Sequence, residues 1–490
     1  MNKSSSISAA LRITAFLIAL LIMLNQVYKI LCFKYGDGIL GLKKLYEFDD
    51  DSIDVLALGS SHAFEDINTG VLFRSYGIAA YILAGSVQPY WNTYYYLAEA
   101  LKTQTPRLVI LEAYASTFDF DYSDHSRIIK NNLGLRSPEI LYSSLKISSP
   151  QETFDNYWFS YRLWHSRYSE LGEWDFEAYY QVPLYQYYMG FGINFATTAF
   201  EVPELSDCTD ALQLTNKTET YYRKIIELCI NRDIPLLIVA SPYVVNDREQ
   251  KLFHQSELIA DEYGVNFINF NSAEYYNMME LDFNTDFADR DHLNYIGNIK
   301  YTYLLGKFLR EQYLLPDRRG ESAYKIWELH SNDVLNRTYN QFLKEESNFN
   351  AYLEKLENNK SNYTIAVMAV NCPDSISQYA DELSGIGIEI GDFGNGSLHI
   401  LKSGKLDYQS HEISWIFNDK IGNNMIHIQQ DAEFTHNSFS QTHELLWNGI
   451  NYVKNTNGIY ILVYDNLSET LVDICCFSES ADGRMAKENL

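Results

Sequence analysis

The sequence predicts an α/β protein: a parallel sheet flanked by helices, with an N-terminal transmembrane helix before it and a β-rich α+β module after it. Three observations carry that expectation. Short continuous apolar runs alternate with segments of helical period between residues 55 and 313, an unbroken apolar stretch stands at Ile13–Leu24, and after Pro316 strand-forming runs are separated by Gly and Asn.

The stretch Ile13–Leu24 extends through Val27–Phe33 to about twenty residues, enough to cross a bilayer with Lys29 snorkelling to the surface. No small-residue cleavage pattern follows it, and Lys29-Ile30-Leu31 before Cys32 lacks the small residues of a lipoprotein signal. Residues 1–35 therefore read as an uncleaved anchor. No polar face interrupts the run, which argues against a buried amphipathic helix.

Residues 45–318 read as the α/β domain. Strands are expected at Val55–Leu58, Ala79–Leu83, Arg107–Glu112, Pro235–Ala240 and Asn266–Asn269, and helices at Tyr221–Cys229, Leu252–Tyr263 and Tyr295–Tyr313. Such alternation means parallel strands joined by crossover helices, with ligand sites at the strands' carboxyl ends. Residues from about 119 to 205, rich in Tyr and Trp, break the rhythm and read as an inserted helical cap. Beyond the domain, 319–359 reads as a helical linker, 360–482 as the strand-rich module opening at Tyr363–Val370, and 483–490 as a tail. The register of Ile426–Tyr452 is not readable from its pattern.

Two distant segments carry the chemistry. Val55-Leu56-Ala57-Leu58-Gly59-Ser60-Ser61-His62 is a buried strand running into a sharp turn that exposes a serine, and Asp289-Arg290-Asp291-His292-Leu293-Asn294 brings a histidine with an aspartate three residues before it. Gly-Ser-Ser-His alone is an ordinary turn signal. The second segment changes its meaning, because a serine hydroxyl becomes a nucleophile when a neutral imidazole takes its proton and a carboxylate fixes the imidazole's tautomer. Ser61 is the candidate nucleophile, His292 the base and Asp289 the orienter, with Asp291 its rival.

This pairing resembles the SGNH/GDSL hydrolase superfamily, whose first block is a strand followed by Gly-Asp-Ser and whose last is Asp-x-x-His. The likeness covers roughly residues 50 to 315. Ser60 replaces the aspartate of the first block, Ser61 matches the nucleophile, and Asp289 and His292 match the last block. The resemblance implies a sheet between helices and an oxyanion held by the backbone N–H groups of Ser61 and Gly85. Most members place an asparagine where this chain has Glu112. An ionised carboxylate there repels an oxyanion, so Glu112 is expected to be protonated, to point elsewhere, or to leave the third donor to another group. Similar anchored members act in alginate acetylation and teichoic-acid alanylation. They imply an extracytoplasmic O-acyltransferase or esterase, single-pass in the cell membrane, that works on a surface polysaccharide with an acyl-donor membrane protein as a further partner. The basic residues either side of the apolar run, Lys3 and Arg12 against Lys29, Lys34, Lys43 and Lys44, set the orientation only weakly. The other expectation is a surface protein that has lost catalysis and binds glycan or a protein partner.

Gly458–Asp465 and Val472–Phe477 resemble the strands of the interleukin-like EMT inducer domain, over roughly residues 360 to 480. Relatives of that domain include the sugar-binding stem of a protein O-mannose N-acetylglucosaminyltransferase. The resemblance implies a module that binds carbohydrate or protein; a rigid spacer is the plainer alternative.

Composition sets the remaining bounds. At 490 residues the chain holds two or three domains, and a net charge of −26 argues against nucleic acid and anionic membrane surfaces as partners. The 39 tyrosines gather in runs such as Tyr94–Tyr96, Tyr157–Tyr168 and Tyr179–Tyr188, suited to sugar rings as well as to core packing. Six cysteines without a CxxC pair give no zinc signature, and the neighbours Cys475 and Cys476 point to opposite faces of a strand. Asp282–Asp286 mimics the opening of a calcium loop, but Phe287 and Leu293 stand where glycine and glutamate are needed, so no metal is expected. No phosphate loop or dinucleotide fingerprint is present, and no cofactor is expected.

Overall fold

The computed structural model describes residues 3–32, 37–122, 124–172, 175–176, 189–204, 210–371, 374–435, 438–454, 457–480 and 484–490. Tyr179–Tyr188, Cys208 and Cys372 lie outside the described residues. The chain divides into two compact units, Met1–Val334 and Leu335–Leu490.

In the first unit β1 (Val55–Gly59), β2 (Ala80–Ala84), β3 (Leu108–Glu112), β4 (Leu236–Ala240) and β5 (Asn266–Asn269) form a parallel sheet in the order β2-β1-β3-β4-β5. The first four strands are buried throughout. Continuous apolar runs are what such strands need, because helices cover both faces. Leu56, Leu58, Val109 and Leu111 face one core with helices Tyr90–Ala100, Asn216–Asn231 and Asp247–Glu262, whereas Val55, Ala57, Leu108 and Ile110 face another with helices Thr69–Tyr76, Ala273–Met279 and Gly297–Gln312. From β1 the chain steps to β2 on one side and then returns across to β3 on the other. Strand order reverses around β1, and its carboxyl end is the switch point where α/β sheets open a crevice.

The tyrosines of helix Tyr90–Ala100 divide between core and rim: Tyr90 and Tyr96 are fully buried, and Tyr94 and Tyr95 are partly so. The described part of the inserted segment holds short helices at His125–Lys130, Pro138–Ser148, Phe154–Trp158 and Tyr161–Trp164. Residues 189–200 then run without regular structure along the site end of the sheet. They are tied by Met189 to Ile82, by Gly192 to Phe64 and by Asn194 to Tyr295 through backbone hydrogen bonds. Ahead of the sheet, helix Lys3–Leu31 contains a span, Leu11–Leu31, that is long and apolar enough to cross a membrane.

The second unit has three layers. β6 (Tyr363–Val370), β7 (Leu398–Lys402), β8 (Lys405–Ser410), β13 (Gly458–Asp465), β14 (Thr470–Glu479) and β15 (Met485–Asn489) make a six-stranded antiparallel sheet; β9 (Trp415–Ile421), β10 (Asn424–Thr435), β11 (Ser438–Trp447) and β12 (Ile450–Asn451) make a four-stranded one. Ile426, Ile428, Leu445 and Trp447 pack against Met368, Leu462 and Tyr464 between the sheets. Helices Phe349–Asn359 and Ala380–Ile386 cover the outer face of the larger sheet. Cys475 belongs to the helix-side core and Cys476 to the inter-sheet core.

Two sequence expectations are refined here. Residues 319–359 are largely helical, and their apolar side chains are shared out: Trp327 and Val334 pack in the first unit, Phe349, Tyr352, Leu353 and Leu356 in the second. Residues 483–490 are not a plain tail, because Met485–Asn489 pairs with β14 from Cys475 to Glu479, and Met485 is buried. Backbone pairing at an open sheet edge makes this strand, which is why its polar sequence gave no sign of it.

Candidate active site

β1 ends at Gly59, and the chain turns at once into the short helix Ser61–Asp66. The turn has no room for a side chain, since a Cβ at Gly59 meets Glu112 Cβ at 2.7 Å and Ala63 Cβ at 3.1 Å. Ser60 is wholly buried, whereas Ser61 is half-buried at the head of the helix, where backbone N–H groups have no intrahelical partners. Position 61 is thus the serine that reaches the crevice.

His292 Nε2 lies 2.7 Å from Ser61 Oγ, across 231 residues of chain. Its Nδ1 is 2.9 and 3.0 Å from the two Asp289 carboxylate oxygens. A carboxylate on Nδ1 holds the proton there and leaves Nε2 as the acceptor for the serine hydroxyl. Asp289 is itself set in place, because Oδ1 accepts the backbone N–H of Asp291 at 2.8 Å and of His292 at 3.0 Å. The rival carboxylate, Asp291, bonds Arg290 at 2.9 Å, and Arg290 in turn bonds Glu249 at 2.8 Å.

The loop that carries His292 is stapled from several directions. Leu293 and Phe287 are fully buried, Ala288 N–H bonds the His292 carbonyl at 3.0 Å, and Asn294 Oδ1 accepts the N–H groups of Ile296 and Gly297, which lead into helix Gly297–Gln312. Leu293 N–H donates to Asp66 Oδ1 at 3.0 Å, so the end of the serine helix grips the histidine loop directly.

Sequence reasoning missed His62 and Asp66. Both are fully buried, His62 Nδ1 lies 3.3 Å from Asp66 Oδ2, and the His62 ring stacks on Tyr114 at 3.8 Å, with its centre 5.1 Å from that of His292. Burial, reinforced by the nearby His292 and Arg290, holds His62 well below the usual histidine range; burial pushes Asp66 well above the usual carboxylate range. Their i,i+4 spacing was the available signal, since it puts both side chains on one helix face.

Gly85 follows β2 directly, and Ala84 is in register with Gly59, so Gly85 and the Ser60-Ser61 turn leave neighbouring strands side by side. A Cβ at Gly85 falls 2.1 Å from Asn131 Oδ1. Glu112, buried at the end of β3, accepts the Tyr114 N–H on both oxygens at 3.1 Å. Burial pushes its carboxyl up to about 8 against the backbone donors that lower it, so it is mostly uncharged at neutral pH. Of the expectations for Glu112, the shift runs in the direction of protonation, and its oxygens face the Tyr114 backbone.

The arrangement is able to activate a serine. An imidazole oriented by a carboxylate sits against the hydroxyl, and burial disfavours charge on His62, Asp66 and Glu112 around the turn. No protein-family model, curated protein or solved structure matches this chain.

Proposed function

We propose that this chain is an SGNH/GDSL-type serine O-acyltransferase or esterase, anchored by its N-terminal helix with its bulk outside the cytoplasm, acting on ester groups of a cell-surface polysaccharide. The observation that carries the reading is the unbroken Asp289–His292–Ser61 relay of hydrogen bonds. As Ser61 Oγ attacks the acyl carbonyl carbon, its proton passes to His292 Nε2, and Asp289 stabilises the imidazolium. The oxyanion is held by the N–H groups of Ser61 and Gly85. The leaving alkoxide takes the proton from His292, and the acyl group stays on Ser61. Water or a sugar hydroxyl then gives its proton to His292 as it attacks the acyl carbon, and on breaking of the bond from the acyl carbon to Ser61 Oγ, His292 returns the proton to that oxygen. A donor membrane protein would supply the acyl group for transfer, and the second unit would serve as a glycan- or protein-binding module.

One observation favours a second reading. Glu112 occupies the place where the superfamily carries an oxyanion-binding asparagine, which fits a surface protein that binds glycan or a partner without catalysis. The test is release of p-nitrophenol from its acetate ester by the full-length protein, with Ser61→Ala alongside. Release abolished by the substitution supports the enzyme; no release, or release indifferent to it, leaves the binding reading. Mass spectrometry of surface glycan with and without the protein then identifies the acceptor.

A further inference from the structure

Helix Lys3–Leu31 is exposed over Leu11–Ala19 and Leu21–Asn25 and becomes embedded in its last turn, where Tyr28 and Ile30 are half-buried and Leu31 is buried. The stretch Tyr157–Tyr168 of the cap supplies the polar part of that hold. Tyr28 Oη is 3.0 Å from Ser160 Oγ, Arg167 donates to the carbonyls of Leu31 at 2.8 Å and Cys32 at 3.2 Å, and Leu31 shares a buried cluster with Tyr157, Trp164, Ile128 and Ile129.

The same stretch displays a second set of aromatic side chains outward. Phe159 is 53%, Tyr161 49% and Tyr168 74% exposed, and Arg162 lies over the Phe159 ring at 5.4 Å. Although the chain carries 64 acidic residues, Tyr157–Tyr168 contains none, and it includes Arg162 and Arg167. Exposed aromatics mixed with arginine, without acids, are the composition of a lipid–water interface.

Length places the patch at the right depth. From Ile13, a hydrocarbon core of about 30 Å takes roughly 20 residues at 1.5 Å per residue, so the bilayer boundary falls at the end of the helix, beside the turn Tyr28–Leu31 that the cap grips. The exposed aromatics lie next to that turn.

We propose that the cap face formed by Phe159, Tyr161, Arg162 and Tyr168 rests in the lipid–water interface where the N-terminal helix leaves the bilayer, with phospholipid as its partner. The proposal depends on the membrane-anchored reading of that helix and adds a second contact to it.

The test uses the full-length protein in vesicles of phosphatidylcholine and phosphatidylglycerol, with a photoreactive benzoylphenylalanine placed singly at Leu21, Phe159, Tyr161, Tyr168 or Leu314. All five positions are exposed, Leu314 at 99%, so none of the variants disturbs a core. After illumination, mass spectrometry is expected to show the added mass of one phospholipid at Leu21 and at the three cap positions, and none at Leu314. Lipid adducts at Leu21 with none at the cap positions overturn the proposal and leave the anchor standing. Cross-links from the cap positions to a second copy of the chain also overturn it, in favour of self-association. No adduct at Leu21 removes the anchor reading, and the proposal with it.

Discussion

Asp66 accepts the backbone N–H of Leu293 at 3.0 Å, which joins the far end of the helix begun by Ser61 to the residue that follows His292. The candidate nucleophile and base are thus held in register by a contact that neither of them makes. Asp66→Ala removes the acceptor and frees the loop to drift; an error of about 1 Å in such a site costs roughly 10²-fold in rate. Esterase kcat is expected to fall by about that factor with KM little changed. Asp66→Asn keeps an oxygen for Leu293 and no charge to bury, so its rate should stay close to that of the unmodified protein. Equal losses in the two variants would show that the charge, and not the acceptor, matters.

Asp289 and Asp291 are separable by the same assay. Asp289→Asn leaves the shape but removes the charge that supports the imidazolium and disturbs the tautomer, so kcat should drop by roughly 10²- to 10⁴-fold. Asp291 answers to Arg290 in a pair that is about a third exposed on the acid side, and such pairs contribute about 0–1 kcal/mol. Asp291→Asn should therefore change kcat by less than about fivefold. A larger loss at Asp291 than at Asp289 would reverse the assignment.

How far the sequence foretold these features depends on how far each residue's role shows in its neighbours. β1, β3 and β4 were readable because burial on both faces demands unbroken apolar runs, and Ser61 and His292 because the turn and the Asp-x-x-His spacing are local patterns. Helix Ser61–Asp66 is too short for a period to emerge, so His62 and Asp66 passed unread. The hairpin β10–β11 was obscure for another reason. Its inward residues Ile426, Ile428, Leu445 and Trp447 sit at its base, opposite each other in register, while from Gln429 to Glu444 the pattern is mostly polar, with the paired Phe434 and Phe439 breaking any simple alternation. Glu112 was legible as an anomaly but not in its orientation, which is marked by its bonds to the Tyr114 N–H two residues on.

Glu112 gives the protein a pH signature. Its pKa rises from an ordinary 4.5 to about 8 on folding, with burial as the chief cause. Between those values the folded state holds a proton that the unfolded chain has lost, so stability falls as pH rises through this window and levels off above it. The contribution is complete below about pH 4.5 and gone above about pH 8. Glu112→Gln keeps an acceptor for Tyr114 N–H and cannot ionise. Chemical denaturation across pH 5 to 8 should accordingly show a flatter profile for Glu112→Gln than for the unmodified protein. Parallel profiles would mean that Glu112 is ionised in the fold, which would revive its conflict with an oxyanion.

Gly85 offers the sharpest test of the oxyanion assignment, because its surroundings are so close. A Cβ there lands 2.1 Å from Asn131 Oδ1 and 3.1 Å from Gln88 Oε1, while Asn131 Nδ2 donates to the Ser86 carbonyl at 3.1 Å and to Tyr122 Oη at 2.9 Å. Asn131 is fully buried and anchored through two bonds from Nδ2, so in Gly85→Ala much of the strain falls on the backbone of residue 85 itself. Displacing one oxyanion donor costs about 10²- to 10³-fold in kcat. Gly85→Ala should show a loss of that order with KM nearly constant, and adding Asn131→Gly, which clears the space, should recover most of it. Full activity in Gly85→Ala would remove this N–H from the oxyanion site, and a loss that Asn131→Gly leaves uncorrected would place the cause elsewhere than in that contact.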